Sequence, residues 1–109
     1  MNREEFLKNL ENTYREGLEL VAKKNADYAN SGDPFLNFRN SEVVGVSIAQ
    51  GILVRTMDKI TRISNLVARP RGTQAVKDER LTDSILDAIN YLAILKAHLD
   101  DVQPLDKWF

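Results

Sequence analysis

The sequence predicts an all-α protein, an antiparallel bundle of three long helices with a structured aromatic loop between the first two. Three observations predict it. Apolar residues recur at three- and four-residue spacing along three separate stretches, the period of a helix with one buried face. Glycine (5) and proline (3) are scarce among 109 residues, against a loop-rich or all-β chain. Turn-forming residues gather in residues 25–40 and 69–72, the two breaks that a three-helix chain needs. A chain of this length reads as one domain, 1–109, and 43% hydrophobic residues allow a modest core.

Charge and composition narrow the function. Lys and Arg number 15 against 16 Asp and Glu, a formal net charge of -1. Such a chain has no broad basic field, so duplex nucleic acid is a poor partner, while local basic clusters can still hold a small anion. There are no cysteines, which excludes disulfides, thiolate metal sites and cysteine nucleophiles. No stretch approaches the ~20 apolar residues of a membrane span. Residues 1–5 lead into no apolar run of the kind a signal peptide carries. The expected setting is therefore the cytoplasm, with no membrane partner.

The first helix spans about residues 3–24. Phe6, Leu10, Tyr14, Leu18 and Val21 form its apolar stripe, and Glu4, Lys8, Glu11, Arg15 and Glu19 fill other faces. Residues 25–40 break the pattern with turn formers and then two aromatics, Phe35 and Phe38. Those rings either pin the loop to the core or wall a pocket, and pinning is the commoner use. The second helix is expected to start near Ser41, as N-cap with Glu42 behind it, and to run to about residue 67. Its stripe is Val46, Ala49, Leu53, Met57, Ile60, Ile63 and Val67, with Ile48, Ile52 and Leu66 beside it. Pro70 and Gly72 then stop it. The third helix is expected over 78–99, capped by Asp78, with Leu81, Ile85, Ala88, Ile89 and Leu92 inward. Helices of ~30 Å are long for so small a core. Such helices commonly bury a second apolar face against another copy, which predicts a homo-oligomer. The aromatic tail at Trp108 and Phe109 is a candidate for docking on its own or a neighbouring subunit.

The polar residues suggest chemistry. Glu79, Asp83 and Asp87 stand at i, i+4 and i+8 on the third helix, sharing a face with Asn90. Acids so close repel one another unless a cation offsets them. That cation is either Mg²⁺, which takes carboxylates together with substrate phosphates, or basic side chains from a neighbouring helix. The plain alternative is a solvated acidic face. Arg55, Lys59 and Arg62 form a basic stripe on the second helix, with Asp58 beside it. Such a stripe is either a salt-bridge seam with the acids or a phosphate clamp. Lys24 closes the first helix, and Asn25, Asp27 and Tyr28 follow with amide, carboxylate and ring groups suited to a base. His98, the one histidine, reads as a surface or capping residue. No Ser-His-Asp constellation, Gly-rich phosphate loop or HExxH pattern occurs.

Four blocks in order carry a family resemblance. They are Lys24-Asn25-Ala26-Asp27-Tyr28, Asp33-Pro34-Phe35-Leu36-Asn37-Phe38, Gly51-Ile52-Leu53-Val54-Arg55 with Asp58, Lys59 and Arg62, and Val76-Lys77-Asp78-Glu79 with Asp83, Asp87, Asn90 and Tyr91. Over about residues 20–95 the chain resembles the first type of nucleotide-modification-associated domain of phages and prophages. That family is all-α and similar in style to the MazG and dimeric-dUTPase group of nucleoside triphosphate pyrophosphatases, which use Mg²⁺ held by acids from two helices. The resemblance implies nucleotide handling around modified bases. Mapped onto this chain, Glu79, Asp83 and Asp87 become metal ligands and catalytic acids for Mg²⁺-dependent pyrophosphohydrolysis. Lys24, Arg55, Lys59 and Arg62 become phosphate contacts, and Asn25, Asp27, Tyr28, Phe35, Asn37, Phe38 and Asn90 complete the nucleotide site. The preceding helix offers Asp58 among basic residues where the MazG pattern pairs glutamates. The alternative is a non-catalytic protein that sequesters a nucleotide or a cyclic nucleotide signal, its acids serving as salt-bridge partners.

Overall fold

Among the described residues four helical segments build the structure, a computed structural model: the three long helices expected from the sequence and a 3₁₀ segment in the loop between the first two. It describes residues 1–28, 32–70 and 79–102, without the side chains of Asp27, Tyr28 and Glu79. Helix α1 spans Arg3–Tyr28, a 3₁₀ segment spans Leu36–Val44, α2 spans Ile48–Ala68 and α3 spans Glu79–Val102. The described residues contain no strand, so the fold is all-α. None of their helices is long and apolar enough to cross a membrane. The Asp78 cap and the tail at Trp108 and Phe109 lie outside the described residues.

Helix α2 begins later than the sequence reading places it. Ser47, not Ser41, is its N-cap: the Ser47 hydroxyl accepts from the Gln50 backbone N–H at 3.1 Å. The Gln50 side chain in turn accepts from the Ser47 N–H at 3.3 Å. This reciprocal capping box satisfies two N–H groups that a helix start leaves open. Residues 41–44 instead finish the 3₁₀ segment, which ends at Gly45 with φ 78°, a left-handed turn that glycine adopts at least cost. Ser41 anchors this segment, its hydroxyl lying 3.1 Å from the Phe38 carbonyl and 3.2 Å from the Ser47 carbonyl.

The buried faces also differ from the expected stripes. In α2 the side chains that go inward are Ile48, Ile52, Thr56 and Leu66. The longer stripe of Leu53, Met57, Ile60 and Val67 stays exposed. In α1, Phe6, Tyr14 and Leu18 are half exposed or more, and the face turned to α3 runs through Leu10, Thr13, Gly17, Leu20 and Val21. In α3 the buried positions are Ser84, Leu86, Ala88 and Asn90, while Ile85 and Leu92 remain exposed. The core gathers Phe35, Phe38, Ile48 and Ile52, with Tyr91, Ile94 and Leu95 packed on it. The 3₁₀ segment and the Phe35 turn before it thus supply half of the buried cluster. Periodicity favours the wider apolar stripes, but the aromatic loop claims the narrower face of α2.

Helix α3 packs along α2 and, less extensively, against α1. Lys24 meets Asp87 and Gly17 meets Asn90, so α1 and α3 run in opposite senses. The α1–α3 approach is close at Gly17. The buried Asn90 amide donates to the Gly17 carbonyl at 3.0 Å, and a Cβ at Gly17 would sit 3.0 Å from Asn90 Oδ1.

Gly51 is tighter still, since a Cβ there would meet Ser41 Oγ at 2.8 Å and Ser41 Cβ at 2.9 Å. Gly→Ala inside a helix ordinarily gains about 1 kcal/mol, whereas overpacking costs about 1–3 kcal/mol. Because Ser41 is itself held by two carbonyls, overpacking wins. Gly51→Ala is expected to lower stability by about 1 kcal/mol net of those two effects. Denaturant melts should show a smaller loss when Gly51→Ala is made in a Ser41→Gly background; equal losses in both backgrounds would exclude this contact as the cause.

Candidate functional site

Four helical segments converge on a cleft of about 220 Å³ that is lined by Lys24 and Asn25 of α1, Asn37 and Phe38 of the 3₁₀ segment, Arg55 of α2, and Asp87 and Asn90 of α3. All of these are expected at a site from the sequence. Val21, Tyr91 and Ile94 complete the wall. These three are absent from the candidate residues, although Asp87, Tyr91 and Ile94 stand at i, i+4 and i+7, the spacing of one helix face.

Asp87 is the electrostatic centre. One of its oxygens lies 3.1 Å from Lys24 Nζ and the other 3.1 Å from Lys59 Nζ. Its side chain is only 15% exposed, against 48% for Lys24 and 26% for Lys59. A carboxylate of α3 thus ties α1 to α2. With both lysines partly in solvent, each pair contributes on the order of 1 kcal/mol, so they orient the lysines more than they hold the fold.

Arg55 is fixed by different means. One of its terminal N–H groups donates to the Asn37 carbonyl at 3.2 Å, and its guanidinium carbon lies 4.8 Å from the centre of the Phe38 ring. Phe38 meets Tyr91 edge-to-face at 6.3 Å. Fixing a planar guanidinium this way leaves its remaining donors free for a planar oxyanion. Asn25 closes the loop side by donating to the Pro34 carbonyl at 3.0 Å.

Beyond Arg55 and Tyr91, which both recesses share, lies a second recess of about 310 Å³ with Asp58, Lys59 and Arg62 on its wall. Arg62 therefore belongs to the extension of the cleft and not to the cleft itself. Phe35 takes the pinning role: it is buried and meets the His98 ring edge-to-face at 5.2 Å, away from the cleft. Asp83 is exposed and absent from the cleft lining. The expected contributions of Asp27, Tyr28 and Glu79 lie outside the described side chains.

Among the described residues, which leave out the Glu79 side chain, no three His, Asp or Glu side chains gather as ligands. Asp87, the one carboxylate among the described residues of the cleft, accepts from two ammonium groups. The arrangement is suited to receiving an anion: Lys24 and Lys59 flank Asp87, and Arg55 lines the same cleft.

A separate ion pair, Asp33–Arg39, holds the loop that carries the aromatics. Asp33 accepts from the Phe35 N–H at 3.0 Å and from Arg39 Nε at 2.6 Å. The Arg39 hydrogen bond, with the Phe35 N–H beside it, holds the Asp33 carboxyl below the usual carboxylate range and raises the Arg39 guanidinium. A lowered carboxylate contributes stability above its ordinary range and loses it as pH falls through the lowered value. The melting-temperature difference between wild type and Asp33→Ala should thus be present at neutral pH and vanish in acid. A difference that is constant across that range would mean that the carboxylate does not anchor the loop. No protein-family model, curated protein or solved structure matches the chain.

Proposed function

We propose that the chain binds a nucleotide in this cleft. Lys24, Lys59 and Arg55 take the phosphates, and the base lies against Tyr91 and Phe38 with Asn25 and Asn37 at its edge. The observation that carries this reading is the convergence of two lysines from two helices on one carboxylate, Asp87, with Arg55 on the same cleft wall beside an aromatic pair. Volume supports it too. Ligand pockets run about 300–1,000 Å³, and the cleft of about 220 Å³ reaches that range with the adjoining recess of about 310 Å³.

The test is to denature purified protein, identify any released nucleotide by mass spectrometry, and titrate a panel of mono-, tri- and cyclic nucleotides by calorimetry. Binding that persists in chelator is the expected result. Absence of binding across the panel, with and without Mg²⁺, would refute the reading. Pyrophosphate release dependent on Mg²⁺ would assign the cleft to the pyrophosphohydrolases that the sequence resembles.

Assembly is part of the same proposal. Leu53, Met57, Ile60 and Val67 lie along one face of α2 and stay exposed in a single chain. Apolar patches of this kind mark association surfaces, and covering them is worth about 25 cal/mol per Å². We expect an oligomer by light scattering and a shift to monomer on Met57→Glu. A wild-type monomer at tens of micromolar would exclude this face as a self-association surface.

A further inference from the structure

A third recess, of about 360 Å³, lies at the far end of the α2–α3 seam, with Arg62 and Arg69 from α2 and its C-cap and Arg80 from α3 on its wall. Asp58 is its acidic neighbour. Asp58 stands i, i+4 to Arg62, yet no ion pair forms between them. Among the described residues none of the three arginines is ion-paired. Arg80 lies in the first turn of α3, where a cation opposes the helix dipole. Three like charges on one recess, one of them against a dipole, are eased by an anion.

This recess continues the cleft. Arg62 and Asp58 are shared with the second recess, which in turn shares Arg55 and Tyr91 with the first. Arg55, Arg62 and Arg69 repeat every seven residues, which keeps them near one line of the helix at steps of about 10 Å. The cations thus form a track about 20 Å long, more than one triphosphate spans, starting at the Tyr91 and Phe38 rings.

Resting on the nucleotide reading above, we infer that the ligand is extended: a short single-stranded oligonucleotide whose terminal nucleotide fills the cleft and whose following phosphates run along Arg62, Arg69 and Arg80. A narrow basic track with aromatic rings at one end suits a single strand, through phosphate contacts and base stacking. The balanced overall charge offers no wide field for a duplex.

The test uses the full chain and thymidine ligands of increasing length: dTMP, a dinucleotide, a tetranucleotide and an octanucleotide, with inorganic tripolyphosphate as a control. We expect affinity to rise about tenfold or more from dTMP to the tetranucleotide. The Arg69→Ala/Arg80→Ala variant should lose that gain and keep wild-type affinity for dTMP. Its salt dependence with the tetranucleotide should weaken by about 0.7 in log–log slope for each phosphate that is no longer neutralised. Equal affinity for dTMP and the tetranucleotide would overturn the inference and leave the cleft reading intact. So would an unchanged double variant, or tripolyphosphate binding as tightly as the tetranucleotide. Failure of every thymidine ligand, dTMP included, would overturn the oligonucleotide; failure of the wider nucleotide panel as well would remove the cleft reading with it.

Discussion

Arg55→Ala is expected to weaken nucleotide binding about 100-fold while the protein still folds. Hydrogen bonds to charged groups are worth about 1.5–3 kcal/mol, and about 2.7 kcal/mol corresponds to about 100-fold. The reason for so large a loss is preorganisation. The Asn37 carbonyl and the Phe38 ring hold the guanidinium in place before any ligand arrives, so little side-chain entropy is spent on binding. Arg55→Lys keeps the charge but removes the fork and its stacking on the ring, and should fall between, at about a tenfold loss. Calorimetry with the tightest ligand of the panel measures both variants, and circular dichroism checks that they fold. A folded Arg55→Ala protein that binds like wild type would remove the phosphates from this cleft.

Much of this arrangement can be read in the residues alone. The order of three long helices follows from apolar period and two clusters of turn formers. Lys24, Asn25, Asn37, Phe38, Arg55, Asp87 and Asn90, all singled out by the sequence, lie together on one cleft. Which apolar face each helix buries is not legible. A single helix can carry two apolar stripes, and period alone favours the longer one. The partner that decides between them is the aromatic loop: Phe35 and Phe38 pack on Ile48 and Ile52, and nothing in the local sequence of α2 announces that contact. The Leu53, Met57, Ile60 and Val67 stripe is left exposed as a result.

The start of α2 is hidden for a related reason. Ser41 followed by Glu42 satisfies the simple rule for a helix start, and so does Ser47 followed three residues later by Gln50. Gly45 decides between them, since its left-handed φ ends the 3₁₀ segment before the second candidate. The displaced Ser41 then becomes the post that Gly51 packs against. Tyr91 enters the sequence reading only through the family resemblance and not as a site residue, because an aromatic at helical spacing ordinarily reads as core. Here it forms part of the core and of two recesses at once.

The acids of α3 admit two readings, metal ligands or partners for the basic stripe, and Asp87 separates them by the sign of one substitution. In the resting cleft its carboxylate occupies Lys24 and Lys59 at 3.1 Å each. It therefore stands where a phosphate oxygen would be received, and a bound phosphate must displace it. Asp87→Asn keeps the size and removes the charge. Losing two partly exposed pairs should lower stability by no more than about 1–2 kcal/mol. The same change frees two ammonium groups, so nucleotide affinity should rise about tenfold, a gain of about 1.4 kcal/mol. Lys59→Ala should move affinity the other way. If Asp87 instead serves a magnesium ion that carries the phosphates, Asp87→Asn weakens binding and abolishes any Mg²⁺ dependence. Titrations of the Asn variant with and without Mg²⁺ thus distinguish a carboxylate that competes with the ligand from one that helps to bind it. The two lysines on its oxygens favour competition.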